Sequence, residues 1–106
     1  MYHVLILPMA KKDIKEAADW YNSKQPGLGK RFTHQLRAML NIVKQHPYII
    51  AVRYDNVRTC VLDIFPYMVH YVIDEPNKSI VISAVLHTSR NPDLWKTDRD
   101  EDNPLI

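Results

Sequence analysis

Phe32, Leu36, Met39, Leu40 and Val43 fall at i, i+4, i+7, i+8 and i+11, a spacing that a helix gathers onto one face. That stripe constrains the fold more than any other feature. A helix over about 29–45 with one apolar side has to lie on something. Ahead of it, Ile14, Ala17, Ala18 and Tyr21 make a second stripe over about 10–24, while Lys11, Lys12, Lys15, Glu16 and Asp19 lie mostly off it as solvated residues. Gln25-Pro26-Gly27 breaks the chain between the two, and Pro47 stops the second. The segments therefore predict a helical hairpin with a shared apolar side, and a sheet is the cover the remaining chain can supply.

Residues 57–64, 67–73 and 79–87 are rich in β-branched and apolar side chains, and Asp74-Glu75-Pro76-Asn77-Lys78 reads as a turn between the last two. Ile80, Val81, Ile82, Val85 and Leu86 make the final strand central and buried over most of its length. Residues 2–7 read as a first strand closed by Pro8. The expected architecture is α+β: a two-helix hairpin on one face of a mostly antiparallel four-stranded sheet, in the order β-α-α-β-β-β. The other face is then partly open, and function is expected there.

A chain of 106 residues, 46% hydrophobic and 25% charged, suits one globular domain. That domain is expected over 1–97, with 98–106 as a loosely held tail carrying Asp98, Asp100, Glu101 and Asp102 against Arg99. The net charge of +2 divides unevenly: residues 1–97 hold 13 basic and 8 acidic side chains, a body of +5. Such a body suits an RNA or an acidic protein partner, and equally an ordinary solvated surface. Cys60, the one cysteine, cannot form an internal disulfide, and in Cys60-Val61-Leu62 it reads as an inert core residue. No stretch is long and apolar enough to span a bilayer, and the N-terminus lacks the basic region and cleavage site of a signal peptide. The expectation is a cytoplasmic protein without a membrane partner.

The chain has no Gly-rich phosphate loop, since Gly27 and Gly29 are its only glycines, and no Cys/His set with zinc spacing. Neither a metal nor another cofactor is expected. What remains is a late cluster of His70, His87, Arg90 and Trp95, with Arg53 and Arg58 earlier. His87 ends the last strand and Arg90 follows three residues on. A histidine can move a proton and an arginine can offset charge on a phosphorane-like transition state, its planar fork donating two hydrogen bonds at once. On chemistry alone, a strand-end histidine satisfying a turn beside a surface arginine accounts for the pair better. His70, mid-strand, reads as a packed core histidine. Trp95 could stack a base but reads better as a pin holding the C-terminal segment to the core. Arg53 and Arg58 flank the Tyr54-Asp55-Asn56 turn, as a phosphate-facing rim or as plain surface charge.

Over about residues 2–99 the chain resembles the RelE/ParE toxin superfamily. The matching stretches begin with Ala10-x-x-Asp13-Ile14, Trp20-Tyr21, Gly29-x-x-Phe32, His46-Pro47 and the strand from Arg58. They continue with Phe65-Pro66-Tyr67-x-Val69-x-Tyr71 and end on His87-x-x-Arg90-x-Pro92-x-x-Trp95-x-x-x-Arg99. The resemblance implies the toxin of a type II toxin–antitoxin module, silenced by a cognate antitoxin, with a homodimer of the free toxin left open. RelE-like members cut messenger RNA on the ribosome without metal. ParE-like members share the fold but poison DNA gyrase with no catalysis of their own, and a toxin fold that has lost activity is a third case. For the endoribonuclease, the resemblance implies Arg58 and Arg90 as phosphate ligands and His87 as the acid or base. Arg53 and Trp95 would then touch substrate. Residues 57–73 hold only Arg58 where RNA-cutting members carry several basic residues, and Trp95 stands where they end in tyrosine. Both targets stay open.

Overall fold

The computed structural model describes residues 1–89. Its elements are β1 (His3–Ile6), α1 (Pro8–Lys24), α2 (Leu28–Gln45), β2 (Val52–Tyr54), β3 (Val57–Val61), β4 (Tyr67–Asp74) and β5 (Ser79–His87). Pro8 opens α1 where the sequence reading had it close the strand. Its fixed φ suits the first helical turn, where its missing N–H has no partner to lose. Gly27, at φ +90°, turns the chain from one helix to the next. Gly29 lets the helices meet: its N–H donates to Asn22 Oδ1 at 2.9 Å, and a Cβ there would collide with the Ala18 carbonyl oxygen and lie 2.6 Å from Asn22 Nδ2.

The sheet has five strands rather than four, in the order β1-β5-β4-β3-β2. β1 runs parallel to β5 and the other pairs are antiparallel. The added strand is β2, the segment around Arg53 that the sequence reading took as flanking a turn. Asp55, at φ +48°, makes the tight reversal that lets Val52 pair with Arg58. β3 ends earlier than expected, at Val61, because the chain bends through Asp63–Phe65 and the Leu62 N–H already donates to the Tyr67 carbonyl at 2.9 Å.

Both helices pack on one face. Ala17, Tyr21, Phe32, Leu36, Leu40 and Val43 form one buried cluster with Val69, Tyr71, Ile80, Ile82 and Val85 of the sheet. Burying each large apolar side chain contributes about 1.5–3 kcal/mol. The β4–β5 ladder steps from His70↔Ala84 to Tyr71↔Ile82, so Ser83 is bulged out. The bulge shifts the phase of β5 by one residue. Ile80, Ile82 and Val85 therefore all reach the helices, although the last step breaks period 2, while Ala84 and Leu86 point to the opposite face.

Candidate functional site

Two clusters of polar side chains stand at opposite ends of the sheet. The first surrounds the end of β5. His87 pairs across the ladder with Tyr67, whose ring meets the imidazole edge-on at 5.3 Å. Beside them opens a cavity of about 530 Å³, walled by Asp13, Glu16 and Trp20 of α1 together with Tyr67, Val85 and His87. Asp13 ties helix to strand by accepting the Val85 N–H at 3.0 Å. Trp20 is half exposed and has Lys24 Nζ 5.1 Å from its ring centre, within range of a cation–π attraction. Burial, and then the charge of Asp13, push the Tyr67 hydroxyl pKa up. The Ser89 N–H donates to His87 Nδ1 at 3.1 Å, and Ser89 Oγ lies 2.9 Å from the same atom. With Nδ1 accepting, the neutral ring carries its proton on Nε2.

The floor under this end is aromatic. Phe32 sits 5.6 Å from Tyr21, 5.4 Å from Phe65 and 5.2 Å from Tyr67, the last two edge to face. These spacings fall in the favourable range for ring pairs. The Phe65-Pro66-Tyr67 turn is thereby set against α1 and α2, and it holds the cavity wall in place.

The second cluster lies where the β4–β5 turn, the N-terminus and the loop after α2 converge. Glu75 Oε2 accepts the Tyr2 hydroxyl at 2.5 Å and the Tyr48 hydroxyl as well, while Oε1 accepts Lys78 Nζ at 2.9 Å. The hydrogen bonds from Tyr2 first, then from Tyr48 and Lys78, hold the Glu75 carboxyl down to about 2. The same bond raises Tyr48 to about 12. Arg58 belongs to this cluster. Its guanidinium lies 5.0 Å from the Tyr48 ring centre and donates to the Ile50 carbonyl at 2.5 Å. Tyr71, directly across the ladder from Arg58, donates its buried hydroxyl to the Pro47 carbonyl at 2.8 Å.

The structure thus separates two residues that the resemblance joined in one site. Arg58 sits opposite Tyr71 and His87 opposite Tyr67. Four residues of β4 are roughly 13 Å, and two strand spacings across add about 10 Å, so the expected acid or base and this expected phosphate ligand start from well-separated backbone positions. Arg53 is exposed on the edge strand β2. Arg90 and Trp95 lie outside the described residues, as does the tail over 98–106. His70 is a fully buried core residue with Nδ1 3.0 Å from Tyr54 Oη, as the sequence reading had it. Cys60 is buried too, and burial raises its thiol to about 11, which leaves it unreactive.

Asp13, Glu16 and Trp20 were missed as site residues because each alone reads as solvated helix surface. They recur at i, i+3 and i+7, a stripe beside the apolar one, and that was their signal. The Tyr2–Glu75–Tyr48 cluster had none, since its members are far apart in sequence. Among the described residues no group of three or more His, Cys, Asp or Glu could hold a metal, and no helix is long and apolar enough to cross a membrane.

Residues 4–92 match the family model of the ParE toxin of type II toxin–antitoxin system, parDE. No curated protein matches. Among solved structures, the chain is similar to the chromosomal ParDE TA system from P. aeruginosa, with a TM-score of 0.71 and 19% identity over 82% of this chain and 96% of that one. The isolated E. coli RelE toxin superposes with a TM-score of 0.67 and 16% identity, over 94% and 98% of the two chains. The toxin–antitoxin complex RelBE2 from Mycobacterium tuberculosis gives 0.56 and 17%, over 81% and 96%. At these identities the structures share a fold.

Proposed function

The chain belongs to the ParE toxin family of type II toxin–antitoxin systems, and from that premise we propose that it arrests growth by binding DNA gyrase rather than by cutting messenger RNA. One observation carries the choice: Arg58 is engaged by Tyr48 and the Ile50 carbonyl at one end of the sheet, while His87 stands at the other beside Asp13 and Glu16. Two carboxylates lining the same cavity as the imidazole disfavour a phosphodiester there. A cavity with acidic and aromatic walls suits a protein partner, since aromatic side chains supply most of the contact energy at interfaces. On this reading the protein acts in the cytoplasm and a cognate antitoxin holds it silent; the similar ParDE and RelBE2 structures are named as a toxin–antitoxin system and a toxin–antitoxin complex.

The RelE-like reading keeps one foothold, the position of Arg90 three residues beyond His87. Transcript ends mapped after induced expression separate the two. Growth arrest with translated messages left whole is the expected result. New cuts inside translated codons, absent from His87→Ala and Arg90→Ala, would overturn the proposal in favour of the ribonuclease.

A further inference from the structure

The two helices carry their charge differently. α1 interleaves Lys11, Lys12, Lys15 and Lys24 with Asp13, Glu16 and Asp19, and Lys15 pairs with Asp19 at 2.8 Å. α2 has Lys30, Arg31, Arg37 and Lys44 and no carboxylate in its 18 residues. None of those four cations is in an ion pair among the described residues. Lys30, His34, Arg37, Asn41 and Lys44 recur at i, i+4, i+7, i+11 and i+14, so they share one face of the helix. Phe32, Leu36, Leu40 and Val43 turn the other side to the core, which leaves Lys30, His34, Arg37 and Asn41 exposed and Lys44 half-buried. A solvated helix face ordinarily mixes signs in i, i+4 pairs. This one presents a single sign along roughly 21 Å.

We infer that this row is a docking surface for the phosphate backbone of a DNA duplex, bound without regard to sequence. Its composition selects the partner. The row holds no aliphatic or aromatic side chain. Protein interfaces have an apolar core and are poor in lysine, and stacking of unpaired bases needs aromatic rings. Backbone binding requires only positive charge held in place. Lys30, Arg37 and Lys44 follow one another at about 10 Å along the helix. A duplex carries one charge per about 1.7 Å of its axis, so such a row meets phosphates wherever it lands. The choice of DNA as the source of phosphate rests on the gyrase reading, because gyrase acts on a bound duplex. The acidic, aromatic cavity beside His87 then faces protein, and α2 lies against the DNA which that protein holds.

Fluorescence anisotropy of a labelled mixed-sequence DNA duplex, titrated with the full-length protein in the absence of gyrase, tests this directly. A failure there leaves the gyrase reading standing. With three phosphates engaged, affinity should fall about 40-fold from roughly 50 to 200 mM salt, a log–log slope of about −3. Lys30→Gln/Arg37→Gln should bring the slope to about −1, and glutamine at these exposed positions keeps a good helix former in place. Lys30→Arg/Arg37→Lys should leave the slope unchanged, and so should Lys12→Gln/Arg53→Gln, which removes the same charge from outside α2. No binding at the lowest salt would overturn the inference. An equal loss in both glutamine pairs would do so too, by making net charge the cause. Tighter binding of an RNA duplex of the same sequence, or of poly-glutamate, would assign the row to RNA or to an acidic protein instead of DNA.

Discussion

The two ends of the sheet are built on different principles. At the β4–β5 turn, Glu75 gathers two tyrosine hydroxyls and an ammonium, and Arg58 closes the cluster against Tyr48. Glu75 and Arg58 each hold a partner from another segment of the chain. At the β5 end the anchoring is apolar, through Phe32, Phe65 and Tyr67, and the polar groups face a cavity of about 530 Å³. One end uses charge to hold the fold together, and the other uses packing to present charge. Residue type alone does not show which of these an arginine or a histidine serves.

Removing the aromatic floor is the most severe way to break this contrast. Phe32→Ala should cost about 3–5 kcal/mol in urea unfolding, the range for a fully buried ring. A loss below about 1 kcal/mol would mean that the ring box does not carry the β5 end. Gly29→Ala comes next, at about 1–3 kcal/mol, because its methyl has to push α1 and α2 apart against the Ala18 carbonyl. Arg58→Ala should cost about 1–2 kcal/mol through the lost bond to Ile50, a charge-assisted bond weakened by partial exposure. Arg58→Lys should recover little of this, since an ammonium cannot both stack flat on Tyr48 and reach the carbonyl.

The same end should show its charge in acid. A carboxyl held below its ordinary value of 4.5 stabilises the fold above that pH, and the contribution is lost as the pH falls from 4.5 through about 2. Acid unfolding of Glu75→Gln should therefore lose part of the wild-type slope in that window, while the curves above pH 5 run parallel. The smallest effect is a coupling. Arg58→Ala and His87→Ala should add within about 0.5 kcal/mol, as distant sites do. A larger interaction energy would place them in one site after all.

Much of the fold was legible because the helical stripes and β-prone runs are long. β2 was missed because three residues bounded by Asp55 carry no pattern of their own. The phase change in β5 was written in Ser83 interrupting an apolar run, but a polar residue in a strand reads as outward-facing before it reads as bulged. His70 was read correctly as core from its apolar neighbours, and Tyr54 completes its setting. The resemblance carried a role onto Arg58 by position, and its hydrogen bond to Ile50 and stacking on Tyr48 depend on a loop more than seven residues away that no local pattern reveals. The acidic wall around His87 stayed hidden because Asp13 and Glu16 reach it from the first helix.

The most direct test of the account is DNA supercoiling by purified gyrase in the presence of the purified full-length protein, with translation of a reporter message followed in parallel. The account predicts blocked supercoiling and trapped gyrase–DNA breaks at protein concentrations that leave the message whole. Unimpaired supercoiling, with the message cut in the ribosomal A site, would contradict it.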